Sequence, residues 1–254
     1  MTRTYRIGQI VPSSNTTMAT EVPAILRARE GILPERFTFH SSRMRMKKVT
    51  KEELANMDAD SDRCALELSD AKVDVLGYAC LVAIMSIGHG YHRQSEQRLR
   101  QRTRENGAEA PVVTSAGALV EGLMHLSAKK VAIVTPYMKP LTQLVVDYIE
   151  AEGIEVVDAI ALEIPDNIAV GRHRPEQLIG IASKLKAANA DAIVLSACVQ
   201  MPSLPMLKVA EQKFDRPVVS AAACTVFRIL QELKLEAAAP DAGTLLSGRV
   251  RNAA

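Results

Sequence analysis

The sequence predicts an α/β protein of two lobes related by a pseudo-twofold, each a short parallel sheet flanked by helices, with the functional site in the cleft between them. Short apolar runs alternate with segments of helical periodicity, the pattern of strand-helix-strand units. One phrase also returns: Asp74-Val-Leu-Gly-Tyr-Ala-Cys80 comes back as Asp191-Ala-Ile-Val-Leu-Ser-Ala-Cys198. Two further phrases return in the same order, Pro111-Val-Val-Thr as Pro217-Val-Val-Ser and Ile7-Gly-Gln-Ile-Val-Pro12 as Val131-Ala-Ile-Val-Thr-Pro136. The offsets differ from pair to pair, so the pattern is not a strict solenoid repeat. It reads as two similar lobes with different loop lengths, 1–116 plus 221–254 and 117–220.

Each element follows from local pattern. The first strand is expected over 5–11. It stops at Pro12-Ser-Ser-Asn-Thr16, whose hydroxyl and amide side chains suit a strand-to-helix turn. Asn15 there either caps the helix or donates to a ligand carboxylate. Met18, Val22, Ile25 and Leu26 recur at helical spacing over 17–30, and residues 36–44 alternate as a second strand. Over 51–71 an amphipathic helix carries Leu54, Met57, Cys64 and Leu68 on one face, which makes Cys64 a core thiol. The third strand, 73–79, runs into Cys80. A helix follows over 91–106, where Arg93, Arg98, Arg100, Arg102 and Arg104 alternate with Glu and Gln, the composition of a solvated face rather than a basic patch.

Residues 111–114 form a fourth strand, and the helix 115–127 crosses to the second lobe. There the sequence predicts a strand over 130–135 ending at Pro136-Tyr137, a helix 141–153 closed by Gly153, and a strand 155–163. The loop 165–171 contains Asn167, which is a turn residue or a ligand. A helix 175–189, a strand 192–197 ending at Cys198, a helix 204–214 and a strand at 218–219 follow, and Cys224 sits in an apolar helix over 221–235. From Glu236 onward the chain is rich in Ala, Gly and Pro and is expected to fray.

Composition narrows the function. A net charge of +2 from 31 basic and 29 acidic residues, with 4% aromatics and no Trp, gives no reason to expect nucleic acid or an anionic membrane surface. No run approaches the roughly 20 apolar residues of a spanning helix, and the amino terminus lacks a secretory pattern. Four scattered cysteines do not form a disulfide framework, so a reducing cytoplasm is expected. No Gly-x-Gly-x-x-Gly, phosphate loop or Cys-x-x-Cys is present. His89 and His92 lack partners for a metal set, so neither cofactor nor metal is expected.

Two lone cysteines at equivalent strand ends remain. A thiol in the first turn of a helix feels the positive end of the helix dipole, which is expected to lower its pKa and supply thiolate near neutrality. A thiolate and a thiol facing each other across a small planar substrate can add a nucleophile and a proton, or exchange an α-proton, without a cofactor.

Pro12-Ser-Ser-Asn-Thr, Tyr78-Ala-Cys-Leu-Val, Thr135-Pro-Tyr, Pro165-Asp-Asn and Ser196-Ala-Cys-Val-Gln together resemble the maleate cis-trans isomerase branch of the aspartate/glutamate racemase superfamily, from about residue 5 to 235. The resemblance implies that Cys80 is a nucleophile forming a succinyl-cysteine intermediate and Cys198 the proton donor and acceptor. It further implies that Asn15, Tyr137 and Asn167 bind a small dicarboxylate with the backbone around Leu81, Val82, Val199 and Gln200, and that the protein is a homodimer. Amino-acid racemases of the superfamily follow their first cysteine with Asn-Thr, whereas Cys80 is followed by Leu81 and Val82. Arylmalonate decarboxylases generally keep only the second cysteine. A two-cysteine racemase of an amino acid or hydantoin, and a non-catalytic binder of small acids, are the alternatives.

Overall fold

The computed structural model describes residues 3–47 and 50–248. In chain order its first half contains β1 (Thr4–Pro12), α1 (Met18–Arg29), β2 (Arg36–Met44), α2 (Lys51–Asp70), β3 (Val75–Tyr78), α3 (Leu81–Ile87), α4 (Tyr91–Glu105) and β4 (Val112–Thr114). After α5 (Ser115–His125) the second half adds β5 (Lys130–Thr135), α6 (Lys139–Ala151), β6 (Glu155–Ala161), α7 (Asn167–Gly171), α8 (Gln177–Ala182), β7 (Ala192–Ser196), α9 (Leu207–Phe214), β8 (Val218–Ser220) and α10 (Ala221–Glu232).

The strands form two four-stranded parallel sheets of identical topology, ordered β2-β1-β3-β4 and β6-β5-β7-β8. The returning phrases therefore mark equivalent strands: β1 with β5, β3 with β7, and β4 with β8. β3, β4, β7 and β8 are buried along their whole length, as expected of parallel strands covered by helices on both faces. Gly8 is needed in the middle of β1, because a Cβ there would stand 2.5 Å from a methyl of Leu76.

The fourth pair of strands shows what the repeated phrase encodes. Thr114 accepts a hydrogen bond from the Gly117 amide and Ser220 one from the Ala223 amide, so each hydroxyl caps the helix that follows its strand. Those helices, α5 and α10, pack on each other, and α10 also lies against α1, β3 and β4. Gly122 permits their close approach, since a Cβ there would sit 2.8 Å from Cys224 Sγ. Cys64 and Cys224 are both fully buried, as the helical pattern of their surroundings predicts. Each fully buried Ile, Leu or Phe on these faces contributes about 1.5–3 kcal/mol.

Cys80 stands where β3 gives way to a helix, α3, as expected. Several other local expectations are corrected. The loop holding Asn167 is a short helix capped by Asp166, whose side chain accepts from the Ala169 amide at 2.6 Å. The helix expected over 175–189 ends at Ala182, and the chain beyond it is irregular because other groups claim its backbone. Asp158 takes the Lys186 amide at 2.7 Å, and Arg216 donates to the carbonyls of Ala187 and Ala190. The tail over 236–248 is packed rather than frayed: Ala238, Ala239, Ala242, Leu245 and Leu246 are buried, and the Ala239 amide donates to the Leu246 carbonyl at 2.8 Å. Residues 249–254 of that tail lie outside the described residues.

The arginines of α4 are a solvated, paired face: Arg93 with Glu152, Arg98 with Asp58 and Asp62, Arg100 and Arg104 with Glu109, Arg102 with Asp62 and Glu105. His89 and His92 both flank the Tyr148 ring instead of pointing at a common centre. Among the described residues no His, Cys, Asp or Glu cluster is placed to hold a metal ion, and no helix is long and apolar enough to cross a membrane.

Candidate active site

The residues that follow three equivalent pairs of strands converge on one cavity. Pro12 ends β1, Asn15 comes from the turn after it, and Tyr137 from the turn after β5. Met46 follows β2 and Asn167 follows β6. Cys80, Leu81 and Val82 follow β3, while Cys198, Val199 and Gln200 follow β7. All eight sequence-predicted residues beside Cys198 line it with that cysteine, and so do Pro12 and Met46, which sequence reasoning missed. The signal for Met46 lay in the topology: it stands after β2 as Asn167 stands after β6. Ligand sites in open parallel sheets lie beyond the carboxyl ends of the strands, and here two such ends face each other.

Cys80 is the cap residue of α3, with extended backbone (φ 176°), and is only 8% exposed. The amides of Ala83 and Val82 are directed at its sulfur and favour thiolate, but burial outweighs them and pushes the thiol up to about 12, with the nearby Cys198 charge adding to the rise. The expectation that the helix terminus would supply thiolate near neutrality is thus overturned in the free protein. Desolvation of a fully enclosed sulfur exceeds what one short helix end returns.

Cys198 differs. It sits not at a helix start but in an irregular turn that Ser196 holds, donating from Oγ to the carbonyls of Cys198 (2.8 Å) and Met201 (3.1 Å). Burial raises its pKa too, yet three donors oppose the rise: the Tyr137 hydroxyl, the Gln200 amide at 3.4 Å and the Met201 amide. Tyr137 is 8% exposed, and burial together with the charges of both cysteines raises its own pKa well above the ordinary phenol value, so it is a neutral donor between two sulfurs.

The amides divide their functions. Asn15 Oδ1 accepts from the Met18 amide at 3.0 Å, which fixes the side chain and leaves Nδ2 as the donor toward the cavity. Capping and ligand donation, posed as alternatives by the sequence, are therefore compatible in one residue. Asn167 Nδ2 donates to Ser14 Oγ at 2.8 Å. The Arg43 guanidinium binds the carbonyls of Pro12, Ser13 and Asn15 from the outer side of the turn. Among the described residues no charged side chain lines the cavity itself.

Comparison with known proteins agrees with this geometry. Residues 7–246 match the family model described as arylmalonate decarboxylase. The maleate isomerase of Pseudomonas putida is 66% identical over 98% of this chain and 99% of its own. Among solved structures, a variant of a Pseudomonas putida maleate isomerase with maleate bound superposes with a TM-score of 0.95, at 64% identity, over 96% of this chain and 98% of that one. A cysteine-to-serine variant of the Nocardia farcinica maleate cis-trans isomerase, solved with a covalently bound succinylcysteine intermediate, gives a TM-score of 0.93 at 48% identity, over 97% and 99%. Two topologically matched sheets, a thiol beyond the third strand of each, and identity at this level along almost the whole chain place the protein in the arylmalonate decarboxylase family, on its maleate isomerase branch.

Proposed function

We propose that the protein converts maleate to fumarate by reversible addition of a cysteine to the double bond, without a cofactor. The observation that carries this is the meeting of Cys80 and Cys198 in one buried cavity, close enough for the charge of one to oppose ionisation of the other.

Such a pair carries at most one negative charge near neutrality. Three donors face Cys198, whereas Cys80 has two amides and an opposing neighbour, so when the pair gives up a proton the charge belongs on Cys198 and Cys80 stays a thiol. In the first step Cys198 takes the Cys80 proton as the Cys80 sulfur bonds to one alkene carbon, and the π electron pair moves to the other carbon. Cys198 then delivers that proton there, giving a succinyl thioether on Cys80 and restoring the Cys198 thiolate. The former double bond is now single, and rotation about it carries one carboxylate from cis to trans. Cys198 removes a proton, the carbon-sulfur bond breaks, the alkene re-forms as fumarate, and the proton returns to Cys80.

Neutral donors suit a carboxylate that has to swing. Asn15 Nδ2, Asn167 and the first amides of α3 serve as its hydrogen-bond partners, joined by the Tyr137 hydroxyl when Cys198 is protonated and releases it, while Leu81, Val82, Val199, Pro12 and Met46 exclude water from the carbanion-like transition state. A reducing cytoplasm and a homodimer complete the reading, the first supported by four free cysteines and the second by exposed Ile87, Met124 and Met138.

The test is fumarate formation from maleate by purified protein treated with a chelator and given no additive. Failure to isomerise, with loss of optical activity from an enantiopure amino acid or hydantoin instead, would overturn the proposal in favour of a racemase.

A further inference from the structure

Resting on the isomerase reading, we propose that Gln200 does not bind substrate but is a positioning residue, a strap that fixes Asn15, Asn167 and the Cys198 sulfur in one register. A primary amide offers two donor hydrogens and two acceptor lone pairs. In Gln200, which is 2% exposed, all four are in use. Oε1 accepts from the Thr16 and Thr17 amides at 2.8 and 3.2 Å, and Nε2 donates to the carbonyls of Ser14 (3.2 Å) and Asn167 (2.9 Å). Nothing on the side chain remains for a carboxylate.

The contacts bracket the cavity-side donors. Ser14 and Thr16 are the chain neighbours of Asn15, so the strap grips that residue on both sides, and its other arm holds Asn167 by that residue's own carbonyl. The Gln200 backbone completes the link: its amide points to Cys198 Sγ at 3.4 Å and its carbonyl accepts from Thr17 Oγ1 at 2.7 Å. One residue thereby joins the segments after β1, β6 and β7, from both sheets. Buried Glu21 fastens the far end of the same turn, accepting from the Ser203 and Leu204 amides at 2.6 and 2.7 Å. Space for the strap is reserved by Gly171, where a Cβ would come 2.5 Å from Gln200 Nε2 and 2.9 Å from Thr16 Oγ1.

Two variants test this: Gln200→Met, which keeps volume and removes the four side-chain hydrogen bonds, and Gly171→Ala, which displaces the strap while leaving its own chemistry intact. In the substrate-free protein both should raise amide hydrogen exchange across residues 14–18. Both should lower kcat/KM for maleate about 100-fold, the scale of an ångström-level misplacement of positioned groups. In an Asn15→Ala background the further loss from Gln200→Met should shrink several-fold, because the strap acts through Asn15. A purely structural staple predicts a lower unfolding midpoint with kcat/KM unchanged, or losses that multiply fully with Asn15→Ala; either overturns the proposal. Should Gln200→Met fail to fold, Gly171→Ala decides by the same readouts. If the wild-type protein does not isomerise maleate, the isomerase reading falls, while the exchange of residues 14–18 still judges the strap.

Discussion

In the substrate-free protein Cys80 is expected to be an unreactive thiol at neutral pH, and pH is the perturbation that reveals it. Burial pushes Cys80 up to about 12. At pH 7.5 the thiolate is then about one part in 30,000, against about one in ten for an unperturbed cysteine near 8.5. Alkylation proceeds through the thiolate, so Cys80 should react with iodoacetamide about 3,000-fold more slowly than a free thiol on ionisation alone. At 8% exposure, steric hindrance slows it further, and the pH dependence separates the two effects. Hindrance scales the rate by a constant, whereas ionisation makes it climb about tenfold per pH unit from 7 to roughly 11. The assay is peptide-resolved mass spectrometry of timed alkylation, with a small thiol present as internal standard. Cys198, facing three donors, should react ahead of Cys80. A Cys80 rate that levels off near pH 8.5 would show that the helix terminus prevails over burial, and the assignment of the pair's charge to Cys198 would fall with it.

Cys198→Ser should reduce turnover about 10²- to 10⁴-fold, the usual worth of a positioned acid-base group, and on incubation with maleate should leave Cys80 heavier by one maleic acid. Tyr137→Phe removes a donor to Cys198; loss of a hydrogen bond to a charged group, about 1.5–3 kcal/mol, translates to roughly 10- to 150-fold in kcat/KM at neutral pH. Because the Cys198 pKa then rises further, part of that loss should return as pH is raised, and a parallel pH-rate profile would contradict the role. Glu96 accepts the Thr114 amide and hydroxyl, both at 2.9 Å, yet burial raises it to about 7. A carboxyl raised on folding adds stability that is full below its unfolded pKa and is lost as pH climbs through 7, here at most about 3 kcal/mol. Glu96→Gln should flatten that decline, read as urea midpoints at pH 5 and 8.

How far the sequence foretold this depended on whether the deciding contacts were local. Strand positions and the buried faces of α1 and α2 follow from periodicity within a few residues, and they appear where the pattern predicts. The packed tail over 236–248 does not, because its alanines are buried by contacts far away in the chain rather than by any periodicity of their own. The same holds at the cavity. Repetition of a phrase was enough to pair Cys80 with Cys198, but the ionisation of a thiol depends on how completely its surroundings exclude water, which no local motif reports. Gln200 was legible as a site residue and not as a strap, since its partners stand 33 to 186 positions away.

The inequality of the two thiols bears on which reaction the cavity suits. A racemase that draws a proton from one face and returns it to the other is served by two interchangeable bases, and two lobes of identical topology would be a natural source of them. Here equal topology ends in unequal chemistry. β3 passes at once into α3, so Cys80 meets only the amides of one short helix. β7 passes into an irregular turn fixed by Ser196 and Gln200, which brings two amides and the Tyr137 hydroxyl to Cys198. One sulfur is thus built to hold charge or proton, and the other to remain neutral until a substrate reaches it. Addition-elimination across a double bond needs that division, because the nucleophile has to leave again and the base has to survive two proton transfers unalkylated. Equalising the thiols by Tyr137→Phe should therefore slow iodoacetamide labelling of Cys198 toward the Cys80 rate, where the wild-type protein alkylates Cys198 first, and an unchanged ratio of the two rates would contradict the division.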